Sequence, residues 1–324
     1  MSSSLKAKIT FISAGAGSGK THRLTEILHR ELASKTIRPA GVIAITFTRK
    51  AAAELRERTR AHLLGKGEFA LASAMGQARV GTVNSVCGQL IERFAFEAGR
   101  ATGQQVLEET QASLMMGNAI DKVMNGASMR EFLKLVSRLS LDEEWIPELK
   151  RLVDQIRYND ISIEHLSDFA LSNSKDLLSH FPKPAHEDLT AVLKENISAA
   201  LVQLKAAEST KKNTQTCLST LLLVERALAN DSATWSDWVK LSKASPEVGL
   251  AFIVEPVADI AARVGEHPGL HADIKAYLAQ MFELAGQALS AYGEDKRELG
   301  VLDFADQEHL LLGLLDHPTV VGFR

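Results

Sequence analysis

The segment Ser13-Ala-Gly-Ala-Gly-Ser-Gly-Lys-Thr21 constrains this chain more than any other stretch in it. The apolar run at residues 9–13, Ile-Thr-Phe-Ile-Ser, reads as a strand, and Leu24, Ile27, Leu28 and Leu32 recur at helical spacing behind it. Glycines at a strand-to-helix turn let backbone N–H groups close around an anion without obstruction by Cβ. The helix that starts there presents unpaired N–H groups and the positive end of its dipole to the same place. Ala14, Gly15, Ala16, Gly17, Ser18, Gly19, Lys20 and Thr21 therefore read as a phosphate-binding loop. Lys20 can reach β- and γ-phosphates, and the Thr21 hydroxyl is placed to ligate Mg²⁺, which points to ATP with Mg²⁺ as the ligand. Ala14 stands where the usual G-x4-G-K-[ST] pattern begins with glycine. The competing reading is an ordinary glycine-rich turn with an exposed lysine; the strand before and the helix after argue against it.

The same design recurs twice. Gly41-Val-Ile-Ala-Ile-Thr-Phe47 is a near-continuous apolar strand, as in a parallel sheet covered on both faces, and it runs into a helix at about residues 50–64. Thr46 and Thr48 flank that junction, with Phe47 and Arg49 beside them. Residues 79–83 read as a third strand, followed by Thr82, Asn84 and Ser85 at a helix start and by Val86, Leu90, Ile91 and Phe94 at helical spacing. Hydroxyls and helix N–H groups at such junctions suit the phosphates of a nucleic-acid backbone. Taken singly, each segment is equally well read as threonine capping with a charged helix face, and Phe47 as packing rather than base stacking. Strand and helix alternating three times indicate an α/β fold with a doubly wound parallel sheet.

Beyond about residue 105 helical periodicity takes over. Residues 110–125, 130–139, 144–158, 189–208 and 217–229 are candidate helices, and Ile274, Tyr277, Leu278, Met281, Phe282, Ala285 and Leu289 form one long stripe. Loops are expected at Asn173-Ser-Lys, Phe181-Pro-Lys-Pro184 and Glu266-His-Pro-Gly269, and Trp235 and Trp238 read as core. The resulting division is 1–106 for the first part of the nucleotide-binding lobe, 107–290 for a helical insertion and 291–324 for a return to the lobe. Charge follows the same division. Residues 1–100 hold 16 Lys/Arg against 7 Asp/Glu, and residues 101–324 hold 21 against 33. A basic block around a phosphate loop suits polyanionic partners, although a positive count is not yet a positive face. No apolar run reaches the ~18–20 residues of a membrane-spanning helix, and the first residues lack a signal-peptide core. Cys87 and Cys217 form no paired motif, which favours core thiols in a reducing cytoplasm.

Taken together, the three junctions resemble the first motifs of superfamily 1 DNA helicases of the UvrD/Rep type. Residues 14–21 match motif I in its AGAGSGKT form. Residues 42–58 resemble motif Ia, close to "TFTNKAAxEMRER", with Arg49 where Asn is common. Residues 81–94 resemble motif Ib, "TxHSF", with Asn84 in place of His and Val86 in place of the aromatic. The resemblance implies an incomplete RecA-like sheet of the P-loop NTPase kind, interrupted by an all-helical insertion called 1B. Val106-Leu-Glu-Glu-Thr110 resembles the "xLDEEE" entry to that insertion, and Gly300-Val-Leu-Asp-Phe-Ala-Asp-Gln307 the "xLDFxDL" return. The short approach to motif I resembles the RecB/AddA branch. Implied roles are Lys20 and Thr21 at the reacting phosphates and Thr46, Phe47, Thr48, Arg49, Thr82, Asn84 and Ser85 along single-stranded DNA. Asp303, Asp306, Glu308 and His309 invite a metal-site reading, but Asp303 and Asp306 sit as helix-start caps.

No segment matches the family's motif II, "VDExQD", and no second RecA-like lobe follows. The resemblance thus implies a half-enzyme that holds nucleotide and needs a second polypeptide for hydrolysis and movement, with an unpaired sheet edge and an exposed apolar face. Two other classes compete. A nucleotide-responsive module would bind a protein partner and no DNA. A small-molecule P-loop kinase is disfavoured by the large helical insertion and by residues 46–58.

Overall fold

The computed structural model describes residues 9–13, 19–96, 103–124 and 129–316. They divide into two compact units, one up to Glu108 and resuming at Val301, the other Glu109–Gly300. The sequence reading placed these changes at 106/107 and 290/291. The later one differs because a single helix runs without a break to Leu299 and is stopped by Gly300, in the left-handed region at φ 64° where glycine carries no Cβ penalty.

The first unit begins with α1 (Lys20–Ala33), β1 (Ile43–Thr46), α2 (Arg49–Gly65) and α3 (Phe69–Ala74). It continues with β2 (Arg79–Thr82), α4 (Val83–Arg93) and β3 (Gln105–Val106). After the second unit it resumes with β4 (Val301–Leu302) and α14 (Phe304–Asp316). β1 and β2 pair in parallel, Ile43 opposite Arg79 through Thr46 opposite Thr82. β3 and β4 form a second parallel pair, Gln105 opposite Val301. Leu32, Val42, Leu55, Leu63, Met75 and Val80 close a core between α1, α2 and the first pair.

Two expectations fail here. Residues 9–13 carry no strand hydrogen bonds, and Ile9 and Phe11 are about nine-tenths exposed. An apolar run becomes a strand only where a neighbour supplies the ladder, and among the described residues β1 and β2 pair with each other alone. Nor is β1 covered on both faces: Val42 and Ala44 turn inward, whereas Ile43 and Ile45 remain 48% and 55% exposed.

The second unit's regular elements are all helical among the described residues. They are α5 (Glu109–Val123), α6 (Met129–Leu139), α7 (Trp145–Tyr158), α8 (Leu166–Ser179), α9 (Leu189–Ala206), α10 (Lys212–Ala229), α11 (Trp235–Ser242), α12 (Ala251–Ala262) and α13 (Pro268–Leu299). Two cores hold them. Phe132, Val136, Trp145, Leu149, Val153, Ala285 and Tyr292 fill the first, between α5–α8 and the later turns of α13. Leu193, Ile197, Leu221, Val224, Trp238, Leu241 and Val257 fill the second, between α9 and α12. Trp238 is buried as expected and Trp235 packs at the edge of that core.

The loop expected at Asn173-Ser-Lys is instead the middle of α8. Asn173 donates to the Phe169 carbonyl (2.7 Å) and the buried Ser174 hydroxyl to that of Leu171 (2.9 Å). Their polarity is thus absorbed by their own helix. Pro268 and Gly269, also read as loop, are the first turn of α13, where a proline's missing N–H costs nothing.

His267 caps that turn. Its Nδ1 accepts from the Gly269 N–H at 2.9 Å, and its Nε2 lies 2.9 Å from the Thr190 hydroxyl. Burial lowers its pKa, against the raising effect of Asp188 and Asp273. Protonation would fill the lone pair that caps the helix and place a cation at the dipole's positive end. A folded-state pKa below the unfolded imidazole value of about 6.5 means that this contribution is complete above that pH. It is then lost as pH falls towards the folded pKa. The urea midpoint of the helical unit should therefore drop as pH goes from about 7 to 5, and His267→Asn, which keeps a capping oxygen, should flatten that slope. Trp235 and Trp238, with ring centroids 4.8 and 5.0 Å from His267, supply the fluorescence signal. A slope equal in wild type and variant would assign the pH dependence to other groups.

Candidate nucleic-acid interface and nucleotide loop

Ala14, Gly15, Ala16, Gly17 and Ser18 lie outside the described residues. The rest of the loop is at the start of α1. Gly19 precedes the helix at φ 81°, a left-handed conformation that strains any side chain-bearing residue. Lys20 and Thr21 open the helix, Lys20 exposed and Thr21 half-buried. The helix has no side-chain cap at its N-terminus and no acidic residue in its first turn, so its dipole end is not neutralised from within. One turn on, the buried Thr25 hydroxyl donates to the carbonyls of Thr21 (2.7 Å) and His22 (2.9 Å) and fixes this turn. Among the described residues, a cation at Lys20, a hydroxyl at Thr21 and a helix start with no acidic residue in its first turn fit a triphosphate with its metal.

The other two junctions meet in one place. A cleft of about 550 Å³ is lined by Phe47, Arg49, Thr82, Asn84 and Ser85, all marked from sequence. Its remaining wall includes Arg56, Gly81, Gly88, Gln89, Val106, Phe304 and Gln307. Phe47 is fully exposed at its mouth. Arg49 reaches Glu108 at 3.3 Å, with both side chains mostly in solvent, so the pair holds the guanidinium only weakly. Arg56 donates to the Val80 carbonyl at 2.7 Å. Gly81 packs tightly against α4: a Cβ there would come within 3.0 Å of the Ser85 hydroxyl, which would have to shift.

The threonines divide between roles. Thr48 accepts the Ala51 N–H (3.1 Å) and caps α2; Thr82 accepts the Ser85 N–H (3.3 Å) and caps α4. Thr46 donates to the Thr48 carbonyl (2.9 Å), and neither Thr46 nor Thr48 lines the cleft. Sequence reasoning missed Arg56 and Gln89, although helical periodicity carries the signal, since Arg56 lies two turns beyond Arg49 and Gln89 one turn beyond Ser85. Phe304 and Gln307 arrive from the far end of the chain, through the β3–β4 pairing.

At α14 the capping reading holds. The Asp306 N–H donates to the Asp303 carboxylate, and the Asp303 N–H to that of Asp306, each at 2.9 Å. No group of side chains suited to a metal ion occurs among the described residues. Cys87 and Cys217 are both buried, and burial raises both thiol pKa values, with Glu308 adding to the effect at Cys87. No helix among the described residues is long and apolar enough to cross a membrane.

Residues 2–322 match the family described as UvrD/REP helicase N-terminal domain. The chain belongs to this family. It is similar to an ATP-dependent helicase/nuclease subunit from Bacillus pumilus, 24% identical over 96% of this chain and 29% of the relative. Over 31% of its length it is 35% identical to the ATP-dependent DNA helicase PcrA of Staphylococcus aureus, covering 12% of that protein. Over 29% it is 34% identical to DNA helicase II of Haemophilus influenzae, again 12% of the relative. The chain thus spans less than a third of the length of the curated relatives it matches.

Proposed function

We propose that the chain is the N-terminal, nucleotide-binding portion of an ATP-dependent DNA helicase of repair or recombination, in which one RecA-like lobe grips both ATP·Mg²⁺ and single-stranded DNA. The observation that carries the DNA part is the meeting of two sequence-distant strand-to-helix junctions in one cleft, with Phe47 at its mouth and Arg49, Arg56, Asn84 and Ser85 in its wall. Exposed aromatic and cationic groups around backbone N–H donors suit a strand held by phosphates and base faces rather than by sequence.

For the nucleotide, residues 14–21 would hold the phosphates, Lys20 by its charge towards the β- and γ-oxygens and Thr21 by offering its hydroxyl to Mg²⁺. The bound metal supplies further neutralisation of the phosphate charge. Cys87 and Cys217, buried as thiols, suit the cytoplasm.

Strand binding should be salt-sensitive and indifferent to sequence. The double variant Arg49→Ala/Thr82→Ala should weaken it about fivefold to tenfold and flatten the salt slope by about 0.7 for each phosphate no longer neutralised. Thr82→Ser serves as a control that keeps the α4 cap. Fluorescence anisotropy of a labelled oligonucleotide across a salt series measures both; unchanged affinity and slope in the double variant would place the track elsewhere.

A second reading, a nucleotide-responsive module that holds a protein partner, is favoured by the open apolar face of Ile43 and Ile45 next to Phe47. ATP-dependent retention of a protein without DNA affinity would select it.

A further inference from the structure

The cleft has one feature that gripping a backbone does not need. Gln307, near the start of α14, is 4% exposed, yet its side-chain oxygen Oε1 is buried without a hydrogen-bond partner. Burying an amide acceptor unpaired costs stability that an apolar residue of the same length would not.

Room for the amide has been made on the facing helix. A Cβ on Gly88 would come within 2.9 Å of Gln307 Nε2, so the amide lies where a side chain on α4 would otherwise be. Gln307, with Gly88 and Val106, also lines a second cavity of about 220 Å³. Turning the amide about its last torsion, which exchanges Oε1 and Nε2, breaks no hydrogen bond at the oxygen.

We propose that Gln307 is a base-gripping residue. One unstacked base of the bound strand enters the cleft beside Phe47 and Phe304, and the Gln307 amide pairs with its hydrogen-bonding edge. Each base presents a donor next to an acceptor, in one order or the other. A reversible amide matches both orders, which gives a grip on a base without a preference for which base. The inference rests on the cleft being the strand's track.

The test is an abasic scan. A short thymidine oligonucleotide with one abasic position, moved stepwise along it, is titrated against the wild-type chain and against Gln307→Leu. Wild type should show one position where losing the base weakens binding about fivefold or more. Gln307→Leu should lose that dependence, keep its binding to the rest of the strand with an unchanged salt slope, and unfold at the same or a higher temperature. Strong wild-type binding with a flat scan overturns the base grip and leaves the DNA reading intact. Retention of the dependence in Gln307→Leu also overturns it. Failure of every strand to bind overturns the DNA reading, and the base grip with it.

Discussion

Lys20→Ala should weaken ATP·Mg²⁺ binding by at least about tenfold, the equivalent of losing a charge-assisted hydrogen bond worth roughly 1.5–3 kcal/mol. Lys20 is exposed at the first position of α1, behind a glycine that sets the turn, so its removal does not disturb a core. Circular dichroism should be unchanged while titration with a fluorescent ATP analogue shows the loss. AMP, which lacks the β- and γ-phosphates, should bind wild type and variant alike. Equal ATP affinity in the two proteins would mean that the loop does not hold the triphosphate as proposed.

The largest stability effect should come from Phe132→Ala. Phe132 is 2% exposed, meets Trp145 edge-on at 5.2 Å and stacks on Tyr277 at 5.9 Å with planes 10° apart. Truncation removes the transfer free energy of the ring and leaves a cavity between α6, α7 and α13, at a cost of about 3–5 kcal/mol. A domain's whole stability is about 5–15 kcal/mol, so the first helical core should melt well before that of the wild type. Trp145 lies in this core and Trp238 in the second, so single-tryptophan versions of the variant can report each core separately. A loss below about 1 kcal/mol would show that the site collapses around the smaller side chain.

What the sequence made legible was local. The junctions at residues 46–49 and 82–85 were found because a strand's period, a capping hydroxyl and a helix start fall within a few residues, and the structure puts Thr48 and Thr82 at caps and Arg49 and Ser85 in the cleft. The helical unit was legible because its apolar residues keep helical spacing over many turns, as along α13. Misreadings came where the deciding partner is distant or unusual. The run at residues 9–13 has strand composition but no ladder neighbour among the described residues. Asn173 and Ser174 look like loop residues because side-chain bonding to one's own helix leaves no trace in spacing. Phe304 and Gln307 could not be assigned to the cleft from local pattern, because a pairing between residues 105 and 301 brings them there.

That pairing also sets an order of events during synthesis. β3 leaves the ribosome with its partner β4 still unmade, and the whole of Glu109–Gly300 must be translated before Leu302 can accept the Leu107 N–H. At about 5–20 residues per second that is a wait of roughly ten to forty seconds. During it the cleft has no Phe304 or Gln307, and Ile91 lacks the cover of Leu314 on α14. The nascent first unit is thus exposed to chaperones and proteases for a time set by the length of its insertion, and shortening that insertion should shorten the exposure in proportion.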